Sequence, residues 1–423
     1  MKNKVLASLL ATLLLVIGAV PALAQDGVTI SVMTNWGPDD PKGPVLQSIF
    51  DDFMAANPDI TIDVDVISND DIPTKLETSY LGGAESDIVM FNLLGPSLSW
   101  VEDGLAMPVT EYVEAWGLSD SFLPVALDQW TLDGEIAAFP LEGFNWPVWY
   151  NTTIFEEAGV VIPTTTDELL VAAEAIRAAG YQPFAIGGSD WTGVRLFQMG
   201  LASGLTQDEV ASLFGKGGFS ENDQAKAAVE TFVELRDAGV FADSVEGLEF
   251  NTMNELFFSG EAAMMHGGAW SYGELPEEVM DSVVLGGFPM LPDSPSAAPA
   301  WWSGFGAKGI WITRNGLEKL DAIEQLITFI YQPEMVGRFV EQAGMVPPIT
   351  GVEVDADLLN PLFVQSLSLA ESDEATFVPL TELYIPGQLL PSLDSISTDI
   401  YIPGTTAEDF LAEMDSIYAD YQD

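Results

Sequence analysis

Hydrophobic and polar positions alternate with two periods along this chain. Val28 to Asn35 (VTISVMTN) is rich in β-branched and apolar residues and predicts a strand. From Lys42 to Asn57 the apolar residues Leu46, Ile49, Phe50, Phe53 and Met54 fall at i, i+3, i+4, i+7 and i+8, one face of a helix, which Asn57-Pro58 closes. Ile60, Ile62, Val64 and Val66 then alternate with other residues, as on a strand. Pro73 to Leu81 predicts a second helix, ended by Gly82-Gly83, and Asp87 to Asn92 (DIVMFN) a third, buried strand. The β-α-β-α-β order points to a parallel sheet covered by helices.

A similar pattern follows in a second region. A strand-like Val148-Trp149-Tyr150 leads into a helix ending at Gly159. Pro163 opens another helix, with Thr165 and Glu168 as a capping box, ending near Gly180. Phe184-Ala185-Ile186 predicts a short strand, Ser220 the cap of a helix running to Gly239, and Ala262 to Met265 an apolar run into Gly267-Gly268. The Pro- and Gly-rich stretch 286–306 reads as a long connection, and helices are expected over 316–331, 334–344 and 406–421.

The first 24 residues carry the marks of a secretory signal: Lys2 and Lys4, an apolar run from Val5 to Val20, and Pro21-Ala22-Leu23-Ala24 as a cleavage site before Gln25. There is no Cys to carry a lipid anchor, so an exported, periplasmic or extracytoplasmic, soluble protein is expected. The remaining length suggests two domains, a core that needs no disulfide.

Charge narrows the ligand. The chain has 65 acidic and 13 basic residues, a net −52, which becomes −54 once Lys2 and Lys4 leave with the signal. Such a surface repels nucleic acid and anionic lipid. The acids are spread rather than clustered, the pattern of a solvated face more than of a cation site. With no Cys and the single His266, nucleophilic triads and zinc sites have almost no material, and there is no G-x-S-x-G elbow or phosphate-binding P-loop. No catalytic residue, metal or cofactor is expected, although two carboxylates of a glycoside hydrolase could hide among so many acids.

Eleven tryptophans change the picture. Trp36, Trp146, Trp191, Trp270 and the pair Trp301-Trp302 lie in turn-like contexts beside polar groups: Asn35, Glu142 with Asn145, Asp190 and Ser303. Each could be a packing residue. As a set they suit a concave site where indoles stack on sugar rings and polar groups bind hydroxyls. A cationic solute such as a polyamine, held by acids and indoles, is the alternative.

Five stretches together resemble the family-1 extracellular solute-binding proteins of ABC importers, the class that includes maltose-binding protein. They are 45–58 with 60–66; 73–92; 139–151 (FPLEGFNWPVWYN) with 154–170; 255–270 (ELFFSGEAAMMHGGAW); and 301–313 with the following helix and Gly344 to Pro347. The resemblance implies a two-lobed α/β periplasmic-binding-protein fold of type II kind, with a ligand cleft between lobes joined by a multi-crossing hinge. It implies crossings near Pro140–Gly143, Phe288–Pro292 and Tyr331–Glu334, giving one lobe of 26–141 plus 292–332 and another of 142–291 plus 333–423. It further implies a monomer that binds a sugar or oligosaccharide without reacting and hands it to membrane permease subunits. The ligand residues it suggests are Asn35, Trp36, Phe91, Asn92, Glu142, Asn145, Trp146, Asp190, Trp191, Trp270 and Trp302. His266 stands where the family has an aliphatic residue and is given no role.

Overall fold

The computed structural model describes residues 27–422 apart from 94 and 371, so the signal segment lies outside it. Among the described residues no helix is long and apolar enough to cross a membrane.

The strands in chain order are β1 (Val28–Thr34), β2 (Ile60–Val66), β3 (Ile88–Phe91), β4 (Thr131–Leu132), β5 (Glu135–Ile136), β6 (Phe139–Trp146), β7 (Val148–Asn151), β8 (Gln182–Ala185), β9 (Ala262–His266), β10 (Val283–Gly286), β11 (Ala300–Ile312) and β12 (Thr376–Phe377). They build two main sheets, each the centre of one lobe, and a small β4–β5 hairpin.

In the first sheet β2, β1 and β3 run parallel, β11 is antiparallel to β3, and β6 is antiparallel to β11. Helices cover both faces, which is why β3 reads as continuously apolar. Ile30, Val32, Met90, Ile310 and Ile312 pack on one face with Ile49, Phe53 and Ile323. Met33, Val89 and Trp311 pack on the other with Ile72, Trp100 and Trp130. In the second sheet the order is β10-β7-β9-β8, with β9 parallel to β8 and antiparallel to β7.

Four differences from the expectations have physical causes. The stretch 286–306 is not all connection, because Ala300–Ile312 is a 13-residue strand. Gly304 and Gly309 on it are sites of close approach rather than breaks: a Cβ on Gly309 would stand 2.1 Å from the Trp130 ring. Asn222, not Ser220, caps the helix Asp223–Asp237, because the Ser220 hydroxyl is taken by Asp415. The helix Pro333–Ala343, expected with the second lobe, packs on the first, where Met335, Val336 and Phe339 join the core around Ile49 and Phe53. The capping box at Thr165 is half formed. Glu168 N–H donates to Thr165 Oγ1, but the Glu168 carboxylate accepts from Thr164 instead.

The chain passes between sheets where β6 ends at Trp146 and β7 begins at Val148, with Pro147 between them. Near Gly143 it is tied to a later segment by Gly143 N–H donating to the Val346 carbonyl at 2.8 Å. From Pro361 onward the terminal helices supply Leu362, Phe363, Leu393 and Phe410 to the core of the second lobe.

Candidate functional site

The end of β6 carries Trp146 into a cluster of rings. Its indole lies flat on the His266 imidazole, centroids 4.8 Å apart and planes within 6°. Trp270 and Trp302 meet it edge-on at 4.9 and 5.9 Å, and Trp191 lies at 5.5 Å. Trp191 closes the outer side, with 40 % of its surface exposed. The Gly267-Gly268 turn makes this possible: a Cβ on Gly268 would stand 2.2 Å from the Trp270 ring. The Trp146 Nε1 donates to the His266 carbonyl at 3.3 Å. Burial pulls the His266 pKa down to about 3, against a small lift from the Trp146 backbone, so the imidazole under the indole is neutral.

Beside this wall lies a group of charges. Lys42, at the start of the helix Lys42–Ala56, sits 3.3 Å from Glu142 on β6 and 4.0 Å from Asp40. Burial alone would lower the Lys42 pKa, but Glu142 and Asp40 outweigh it and hold it above the usual lysine value. Burial raises the Glu142 pKa, opposed by Lys42 and Lys308. Lys308 on β11 is 4 % exposed; its Nζ donates to Asn35 Oδ1 at 2.7 Å and Asn69 Oδ1 at 3.3 Å. The Trp36 and Phe91 rings lie 5.8 and 6.0 Å from that ammonium.

The two groups meet across the lobes. The turn Ala269–Glu274, which begins beside Trp270, brings Gly273 against Pro41, and Glu274 acts electrostatically on Lys42. Asn35 and Asn69 follow the carboxyl ends of the parallel strands β1 and β2, the edge at which open α/β sheets bind ligands.

The residues expected at the site therefore divide. Trp146, Trp191, Trp270 and Trp302 come together around one point, and Asn35, Trp36, Phe91 and Glu142 gather at the charge group beside it. Asn92 follows Phe91 half-buried, its Oδ1 without a partner among the described residues. Two are committed elsewhere. Asp190 caps the helix Trp191–Ser203 through Thr192 and accepts from Phe250 N–H at 2.6 Å. Asn145 links Ser366 to Ser303, on the opposite side of its strand from Trp146. Ser303 also lines a groove of about 670 Å³ with Gln129, Tyr384 and Phe377, whose ring stacks on Trp301 at 4.8 Å.

Lys42, Asn69 and Lys308 were not expected at the site. Pro41-Lys42-Gly43 and Ala307-Lys308-Gly309 look like solvated turn lysines, and only the fold shows them buried. The scarcity of basic residues was the one usable signal.

The profile of the family described as "Bacterial extracellular solute-binding protein" matches residues 37–336. A probable secreted solute-binding lipoprotein from Streptomyces coelicolor is 34 % identical, with a TM-score of 0.80 over 93 % of this chain and 99 % of that one. A probable sugar-binding periplasmic protein of Rhizobium meliloti is 25 % identical over 66 % of this chain and 67 % of its own length. A chitin oligosaccharide binding protein shares the fold at a TM-score of 0.81 and 22 % identity, over 93 % of this chain and 99 % of that one. The family binds solutes and is not enzymatic. With a profile match over most of its length and a two-lobed fold, the chain belongs to the bacterial extracellular solute-binding proteins.

Proposed function

We propose that this protein binds a sugar or oligosaccharide between its lobes and delivers it to the permease subunits of an ABC importer. One observation carries the reading: Trp191 and Trp270, the two rings of the cluster that are not buried, stand 5.9 Å apart over the buried Trp146, which Trp302 backs. Indole faces stack on the C–H faces of pyranose rings, and adjacent polar groups take the hydroxyls. The names of the Rhizobium and chitin-oligosaccharide relatives support the same ligand class.

In this reading the open protein takes up sugar on one lobe and the other closes over it. Closure removes water and strengthens the hydrogen bonds to hydroxyls. The lips of both lobes then dock on the permease. We assign the first lobe to 26–141 plus 292–332, extended by the helix Pro333–Ala343, and the second to 142–291 plus the remaining chain. Export through the cleavage site before Gln25, and action as a monomer, belong to the same proposal. A cationic solute is less well served, because Lys42 already neutralises the buried Glu142.

The test is a thermal-shift screen with xylotriose, maltotriose, chitotriose, polyamines and amino acids, followed by calorimetry on the hits. A saccharide that raises the melting temperature by mass action is the expected result. A response to polyamines alone would replace the carbohydrate reading.

A further inference from the structure

We propose that Lys308 is a positioning residue of the ligand site: its ammonium locks the carboxamides of Asn35 and Asn69 with oxygen inward and nitrogen outward, so that this corner selects ligand groups that accept hydrogen bonds. The proposal deepens the carbohydrate reading and rests on it.

The chemistry follows from one bond pattern. An ammonium has three donors and no acceptor, so only an amide oxygen can face it. Lys308 Nζ meets Asn35 Oδ1 and Asn69 Oδ1. Each amide nitrogen must then point the other way, and neither makes a hydrogen bond with another described residue. Both asparagines are half-buried and stand at the carboxyl ends of their strands. The corner thus offers two oriented amide donors over a buried positive charge. Hydroxyl and ring oxygens acting as acceptors fit it, and a ligand ammonium is repelled.

The placement of Lys308 supports a role beyond packing. It lies on β11, where the register with β6 shifts between Gly304 and Lys308 and again before Gly309, so the strand turns its side chain under the two asparagines. Burial, only partly offset by Glu142, brings its pKa down to about 8. Once deprotonated, the amine carries a lone pair and no longer dictates which way the amides face. The other charged groups facing this corner are Lys42 and Asp40 at the start of their helix, Glu142 on β6 and Glu274 on the turn Ala269–Glu274. Lys42 is held above the usual lysine range and keeps its charge where Lys308 loses it.

The experiment is calorimetry with xylotriose, maltotriose and chitotriose, from about pH 7 to about pH 9.5, on the wild type, Lys308→Arg and Lys308→Met. Wild-type affinity for a bound trisaccharide is expected to fall about tenfold as the pH rises through the Lys308 titration, the scale of losing oriented hydrogen bonds. Lys308→Arg, charged throughout, is expected to bind with a flat profile, and Lys308→Met to be weak at every pH. A flat wild-type profile, the same fall in Lys308→Arg, or Lys308→Met binding within about twofold of the wild type would overturn the proposal. If Lys308→Met does not melt cooperatively, the contrast between wild type and Lys308→Arg still decides. Absence of binding by any of the three sugars fails at the first step, and sinks the carbohydrate reading together with this proposal.

Discussion

The Trp146 indole rests on the His266 imidazole with their planes within 6°, and the imidazole is fully buried. A folded-state pKa near 3 against an unfolded value of 6.5 has a definite consequence. Between these values the unfolded chain binds a proton that the native protein refuses, so stability rises with pH and is lost as pH falls from about 6.5 toward 3. The slope is about 1.4 kcal/mol per pH unit. Glu382, whose pKa burial pushes up to about 7, has the opposite slope between its unfolded and folded values. The difference between wild type and His266→Phe isolates the histidine. Denaturant titrations from pH 6 down to pH 4 should show the wild type losing ground to the variant at about that rate. Parallel curves would mean that His266 accepts a proton in the fold.

Trp270 is only partly buried, and it contacts both Trp146 and Trp191. Trp270→Ala should weaken trisaccharide binding by about 2 kcal/mol or more, the scale of a central contact residue. Calorimetry reads the affinity, and an unchanged value takes Trp270 out of the site. Trp146→Ala is a poorer probe, because emptying its buried position costs about 3–5 kcal/mol of stability as well.

Arg195 joins the buried Glu382 to Asp394, which is about one-third exposed. The pair ties the helix Trp191–Ser203 to the C-terminal segment. Arg195→Met should cost about 3–5 kcal/mol in urea denaturation, because Glu382 is left buried without a partner. Adding Glu382→Leu should recover most of the loss. A double variant as unstable as the single one would refute the account.

Gly309 faces the Trp130 ring. Gly309→Ala should destabilise by about 1–3 kcal/mol through overpacking, and Trp130→Phe in the same chain should relieve part of it. Equal melting temperatures for Gly309→Ala and wild type would show that the indole moves aside freely.

Local period made much of the fold readable. The face Leu46, Ile49, Phe50 and Phe53 is buried as its spacing requires, and the alternation of Ile60 and Ile62 matches the β2 strand. What stayed hidden depends on partners far along the chain. Gly304 and Gly309 look like loop punctuation until Gln129 and Trp130 are seen against the strand that carries them. The tryptophans were visible as a set because each stands beside turn residues. Lys308 was not, since its role exists only through Asn35 and Asn69, more than 200 residues away in sequence. Asp190 had the right neighbours for a ligand contact, but its carboxylate is taken up by Thr192 and Phe250.

Strand β11 supplies Ala300 and Trp302 to the core of the second lobe, Ile310 and Ile312 to one core of the first, and Trp311 to the other. Three apolar interiors thus hang on one uninterrupted run of 13 residues. Fraying that run exposes all of them together, which couples the unfolding of one lobe to that of the other. Heat or denaturant should take the protein apart in a single cooperative transition, two lobes melting as one unit.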